Sequence, residues 1–478
     1  MFDVPFRSQT QEHQVDAPRL EGTIPAALRG TLLRNGPGRF ESGMDRLHFL
    51  DGHALVAGLC FEDGRARFRS RFVRTPELVA EEAAGRILHR RVFTNIPSRW
   101  ANVFKLPKGD NGNHDVYVHG GRVVASNDKG HHVVDPRTLE TRGPEAFGGL
   151  HRGERLIGPM PRVDPESGRL VGWVVEPGGA KPDRITFFEA DEAFRVVSEA
   201  APHTLASPAA VVHDQAFTAR WYVATQAAAR LRFGQALWGG RTLFDCFAWP
   251  PAGTADLVLV SRPDGARSAR VPIPGGILAA FHLLNARDDG ARVIVDLIGY
   301  AGVPDFGQFG SGVGALGRRG TTPPPRLLRL VVDPEQARVV EHVALSGEAG
   351  ELPEVRPDRF GRPYRYVWLA APAAGRDAPD PNAFPWFGAL LKVDVETGAA
   401  TRWEAGTSAF VSQPVFAPRG DEEDDGWVLS WVEDAARGTT EVVVLDARDL
   451  AAGPVARIDL GVHLPGSSHV TWAPGHSL

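Results

Sequence analysis

The feature that most constrains this chain is the recurrence of short apolar runs between turn residues. From about residue 115 onward, DVYVHGGRVVAS, GRLVGWVVEP, RWYVATQ, ADLVLVSRPDG, ARVIVDLIGY, RLLRLVVDPEQARVVEHVAL, YRYVWLAAP and GWVLSWVEDAARGTTEVVVLDA follow one another. Such runs, broken by Gly, Pro, Asn and Asp, read as strands and hairpins. In LLKVDVETGAATRWEA the apolar residues alternate on both sides of Glu396, Thr397 and Gly398, the pattern of two antiparallel strands around a short Gly-containing loop. DGRARFRSRFV and VVDPEQARVVEHV follow the same rule.

Helical periodicity is scarce. It predicts short helices only over Thr75–Ala84 and near Ile24–Leu28. With 53 Gly, 38 Pro and no break in composition to mark a linker, many small sheets repeated about an axis are favoured over two separate sandwiches. The expectation is an all-β propeller over residues 1–478 as a single domain. The stretches Asp305–Pro325 and Pro372–Trp386 are too rich in Gly and Pro for regular structure and are expected as long connections, either functional or merely connecting.

A formal net charge of -5 with Lys and Arg spread along 478 residues gives no basis for a nucleic-acid partner. Two cysteines, Cys60 and Cys246, form neither a disulfide framework nor a thiolate metal site, which fits a reducing cytoplasm. The first residues, MFDVPFRSQTQEHQVDAPRL, lack a basic region followed by an apolar core, and no later run approaches the ~20 apolar residues of a spanning helix. A soluble protein, or one peripheral at a membrane surface, is expected. No Gly-x-Ser-x-Gly elbow supports a hydrolase, and GSGVG at Gly310–Gly314 lacks the following Lys-Ser/Thr of a nucleotide-binding loop.

The opening segment Gly22–Leu55, GTIPAALRGTLLRNGPGRFESGMDRLHFLDGHAL, is followed by RSRFVRT, RVDPESGRL, VVHDQAF, FHLLNA, GRPYRYVW and PVFAPRGDEEDDGWVLS. In this order and over nearly the whole chain, these motifs resemble those of the carotenoid cleavage oxygenases, the family of the retinal pigment epithelial membrane protein. The resemblance implies a seven-bladed β-propeller, with a few short helices and loops capping a central site. It also implies a ferrous ion on the axis, held by four histidines backed by three glutamates, and no nucleotide or haem cofactor.

By that resemblance His213 of VVHDQAF, His282 of FHLLNA and His469 of SSHVTW are the catalytic metal ligands. The family's remaining ligand is the His of a His-Pro-x-x-Asp-Pro stretch, and the matching residues are Met160-Pro161-Arg162-Val163-Asp164-Pro165, so the expected site has methionine in place of its fourth histidine. Behind the ligands Glu351 matches one glutamate, whereas Gln413 and Asn127 stand at the other two positions. Neutral partners raise imidazole basicity less than carboxylates do, so weaker metal binding follows. Met160 is read as packing. His131 and His132 are adjacent on a strand, so at most one could face the same site.

The implied reaction is Fe(II)-dependent cleavage of a carbon–carbon double bond by O2, in an apolar conjugated substrate such as an apocarotenoid, stilbene or phenylpropene. Two alternatives compete because Met160, Gln413 and Asn127 depart from the pattern. One is a non-oxidative isomerisation, cyclisation or rearrangement of a terpenoid or polyene with altered or absent metal; the other is non-catalytic binding of an apolar ligand. By the resemblance, the stretch Leu231–Trp249, LRFGQALWGGRTLFDCFAW, lies where tunnel or membrane-docking elements are expected, and buried blade residues would give the same pattern.

Overall fold

The computed structural model describes residues 4–478 apart from 44, 97–98, 108, 251–252, 303–323, 375–386 and 468. Seven antiparallel sheets of four to six strands follow one another along the chain. Blade 2 has the plainest form: Asp115–His119, Arg122–Asn127, Gly130–Val134 and Thr141–Glu145 pair in sequence order. Blade 3 is built on Leu170–Glu176 and Arg184–Ala190, and blade 4 runs from Val212–Phe217 to Ser268–Pro272. Blades 5 and 6 begin with Ala279–Asp289 and Glu351–Glu354, and blade 7 is built on Gly426–Asp434 and Thr439–Asp446.

The two ends of the chain close the ring. In blade 1 the C-terminal strand His469–Pro474 pairs with Gly30–Asn35, placing Asn35 opposite His469. The N-terminal strand Arg19–Gly22 pairs in turn with Pro454–Asp459 at the outer edge of blade 7. Each terminus therefore completes a sheet begun by the other.

Alternation decides where the core sits, because successive strand residues point to opposite faces and each blade is covered on both. Among the described residues seven of the eight apolar clusters lie at contacts between neighbouring blades, one at each. Val56 meets Val123 between blades 1 and 2; Val171 meets Tyr222 between blades 3 and 4; Val295 meets Leu257 between blades 4 and 5. Trp368 stacks on Phe416 at 4.6 Å between blades 6 and 7, and Trp431 of blade 7 joins Leu32 and Phe68 of blade 1. Each such side chain, fully removed from water, contributes about 1.5 to 3 kcal/mol.

The turns agree with the sequence reading. Asp63 and Gly64 both adopt positive φ, 49° and 72°, between His53–Glu62 and Arg65–Phe72, the left-handed pair that suits a two-residue hairpin. Pro76–Ala84 is helical, with the Thr75 hydroxyl accepting from the amide of Leu78. Ile24–Leu28 is a turn instead of a helix, closed by the Leu28 amide on the Pro25 carbonyl. Five residues make too few hydrogen bonds to offset helix nucleation, and burial of Ile24 and Leu28 accounts for their spacing. The long connection at 305–325 lies almost wholly outside the described residues, as does most of 372–386.

Candidate metal centre and cavity

In a propeller, the first strand of each blade starts near the axis, and four histidines stand at such starts. His213 lies in the first strand of blade 4 and His282 in that of blade 5, while His469 opens the C-terminal strand of blade 1. His114 immediately precedes the first strand of blade 2. The ladder is irregular between Val212 and Gln215 and on both sides of His282, and bulges of this kind re-aim side chains.

The four rings form a closed cycle. Ring centres are 4.8 Å apart for His114 and His213, 5.4 Å for His213 and His282, 5.3 Å for His282 and His469, and 5.3 Å for His469 and His114. Ring nitrogens of His114, His213 and His469 all lie within 4.8 Å of one another. The rings line a cavity of about 450 Å³ together with Trp173, Phe247, Trp249, Phe281, Tyr300 and Phe387 among others.

Partners behind the rings fix their orientation. The Nδ1 of His282 donates to Oε2 of Glu351 at 2.5 Å, and the Tyr300 hydroxyl donates to Oε1 at 2.5 Å. The Nδ1 of His469 donates to Oε1 of Gln413 at 2.9 Å. Both rings therefore turn Nε2 away from these partners, and Nε2 of His282 is buried without a hydrogen-bond partner. Burial, assisted by the neighbouring rings, pushes His114 down to about 3 and holds His213 and His469 well below the ordinary histidine range. Burial acts downward on His282 as well, but the charge and hydrogen bond of Glu351 outweigh it and raise this ring. Three imidazoles held neutral by burial, beside a fourth backed by a carboxylate, are a donor set that fits a divalent metal of borderline character.

The geometry brings together the three histidines expected from the sequence and corrects the remainder of the set. The fourth ring is His114, and Met160 is not among the residues lining the cavity. Glu351 and Gln413 each hold a histidine; Asn127 does not. Its Oδ1 instead accepts the amides of Lys129 and Gly130, closing the turn between two strands of blade 2. Neither His131 nor His132 enters the site: one is bonded to the Tyr117 hydroxyl at 2.9 Å, the other to Asp110 at 2.7 Å. A sequence signal for His114 did exist. The dipeptide His-Asp heads an alternating strand in both NHDVYV and VHDQAF.

The stretch Leu231–Trp249 is divided between the two expected fates. Phe247 and Trp249 line the cavity and Cys246 is buried, whereas Trp238 is 58% exposed.

Comparison with known proteins places this architecture. The family model of the retinal pigment epithelial membrane protein matches residues 6–474. Apocarotenoid-15,15'-oxygenase of Synechocystis is 33% identical over 485 positions, covering 98% of this chain and 95% of the relative. Isoeugenol monooxygenase of Pseudomonas putida is 28% identical, covering 95% and 93% respectively. Among solved structures, a cobalt-substituted Synechocystis apocarotenoid oxygenase superposes with a TM-score of 0.89 at 31% identity, covering 99% of this chain and 98% of the other. With a matching family model over nearly its whole length, a seven-bladed fold in common and a histidine cluster on the axis, the chain belongs to the retinal pigment epithelial membrane protein family, the carotenoid cleavage oxygenases.

Proposed function

We propose that this protein is a non-haem iron oxygenase that cleaves a carbon–carbon double bond of an apolar, conjugated substrate of the apocarotenoid, stilbene or phenylpropene class. The observation that carries the reading is the junction of two features: four convergent imidazoles, three of them held neutral by burial, and aromatic side chains lining the same cavity. His213, His282 and His469 would hold the metal, with Glu351 fixing His282 and Gln413 fixing His469. Bound iron supplies the redox centre that activates dioxygen.

The protein's own contribution is placement. Apolar walls such as Phe281, Phe387 and Trp173 exclude water and hold a flat conjugated substrate by its faces. Because Glu351 and Gln413 accept from Nδ1, the Nε2 of His282 and of His469 is left free of these partners. In the overall reaction the double bond and the O–O bond break, and each former alkene carbon leaves as a carbonyl. The alternatives of a metal-free rearrangement or a binding protein arose from Met160, Gln413 and Asn127, and a fourth ring at His114 weighs against the first of these grounds.

The surface beside the cavity suits delivery from a bilayer. Trp100 is 78% exposed, Phe104 77% and Trp238 58%, and the Phe104 amide donates to the Leu237 carbonyl, so the segments carrying them are joined. The Phe244 amide donates to the Val92 carbonyl, and both residues line the cavity. Exposed apolar rings next to an apolar cavity favour peripheral contact with a membrane surface. Among the described residues no helix is long and apolar enough to cross a membrane. Cys60 and Cys246 are buried free thiols, in keeping with a cytoplasmic setting.

The test is oxygen uptake by the iron-loaded protein on one substrate of each class, with products resolved by mass spectrometry. Two carbonyl fragments formed with O2 consumption support the reading. An isomer formed without uptake, or tight binding without turnover, overturns it in favour of the corresponding alternative.

A further inference from the structure

Met160 and His114 are neighbours through one residue. The Ser126 carbonyl accepts the His114 amide at 2.8 Å, while the Ser126 hydroxyl donates to the carbonyl of Pro159 at 2.6 Å. The segment that holds methionine and the segment that supplies a histidine therefore share one anchor in blade 2. Arg162, two residues beyond Met160, reaches Asp214 at 2.8 Å beside His213, so the methionine segment stays packed against the axial strands.

The His114 segment is built to hold its ring in one place. Asn35 donates from Nδ2 to the carbonyls of Gly112 at 2.6 Å and Asp115 at 2.8 Å, one on each side of the histidine. Asn113 donates to the carbonyls of Leu50 and Gly52 at 2.9 and 2.6 Å. Gly112 has a φ of 62°, the left-handed bend that turns the backbone just before His114 and that a side chain would strain. A backbone fixed on both flanks is what a metal ligand requires and what a loose packing residue does not.

We infer that His114 is the fourth metal ligand of this protein, supplied from the head of blade 2 in place of the blade 3 position that Met160 occupies. The inference rests on the metal-dependent reading above and specifies which side chains complete it. The ring cycle from His469 through His114, His213 and His282 passes over blade 3 without using it. The centre keeps four imidazoles although one family ligand position has been lost.

The experiment compares metal binding by wild-type protein, His114→Ala and Met160→Leu, loaded anaerobically with Fe(II) or Co(II) and titrated against a competing chelator. Melting temperature serves as the check on folding. Wild type and Met160→Leu should bind one ion per chain with the same affinity, and His114→Ala should bind at least about 100-fold more weakly, with an altered Co(II) visible spectrum. Retention of wild-type affinity and spectrum in folded His114→Ala overturns the inference and leaves the metal-dependent reading intact. Absence of metal from the wild type overturns that reading itself. Should His114→Ala fail to fold, the anomalous difference map of cobalt-loaded wild-type crystals decides: density bonded to His114 Nε2 or Nδ1 supports the inference, and an ion bonded to His213, His282 and His469 alone refutes it.

Discussion

Replacing Glu351 by Gln isolates what the one charged partner in the histidine cycle contributes. The carboxylate accepts three hydrogen bonds, from His282 Nδ1 at 2.5 Å, the Tyr300 hydroxyl at 2.5 Å and the Leu352 amide at 2.8 Å. A glutamine of the same shape keeps an acceptor for His282 and Leu352 but presents an NH2 group to Tyr300. Exchanging charge-assisted bonds for neutral ones costs about 1 kcal/mol each, about 3 kcal/mol over three, and removal of a buried charge offsets part of this. Metal affinity should fall by about 10- to 100-fold, or about 1.4 to 2.7 kcal/mol, because a neutral acceptor no longer raises the basicity of the ring. The reverse change supplies the control: His469 already leans on an amide, so Gln413→Glu should tighten binding by a similar factor. Chelator competition with Co(II), performed beside thermal melts, reads both effects. Affinity within about twofold of wild type in a well-folded Glu351→Gln protein would refute the argument and make Glu351 a purely structural residue.

Burial pushes Asp51 up to about 6 even though Thr94 and the Phe93 amide donate to it, so the folded state prefers its neutral form. Its stabilising contribution is complete below about pH 4 and is lost as pH rises toward 6, about 3 kcal/mol for a shift of about two units; Asp51→Asn should abolish that slope in denaturant unfolding measured from pH 4 to 7. Arg162 ties blades 4 and 5 together through Asp214 and the carbonyls of Leu283 and Leu284, so Arg162→Met should destabilise by about 3 to 5 kcal/mol through the buried carboxylate it strands, and a melting temperature equal to wild type would show that the clamp is idle. Trp431, fully buried at the seam where the chain ends meet, should cost about 3 to 5 kcal/mol as Trp431→Ala, visible as a lower midpoint in denaturant.

The fold was legible because a propeller writes itself locally. Hairpins such as His53–Glu62 with Arg65–Phe72 declare both strands and their turn within one short window, and Asp63-Gly64 states the turn chemistry outright. What no local window contains is closure. The pairing of Gly30–Asn35 with His469–Pro474 joins residues more than four hundred positions apart, and no reading of the sequence brought them together.

The site was legible where motif and geometry coincide, at His213, His282, His469 and Glu351, and misleading where a motif had lost its residue. Reading Met160 as the vacancy assumed that a ligand must stay in its own blade. The propeller imposes no such rule, since every blade delivers the start of an inner strand to the same axis, and two neighbouring starts differ by a small rotation about it. His114 and His213 show the equivalence directly: each stands before an aspartate at the head of an alternating strand, one in blade 2 and one in blade 4, with the blade 3 position between them. Their rings nonetheless approach to 4.8 Å, so the ring cycle closes without a residue of blade 3. Asn127 holds no ring among the described residues, and its side chain caps the turn at Lys129 and Gly130. Of the three departures from the motif, Met160 lies outside the cavity lining, Asn127 caps a turn, and Gln413 alone still holds a ring.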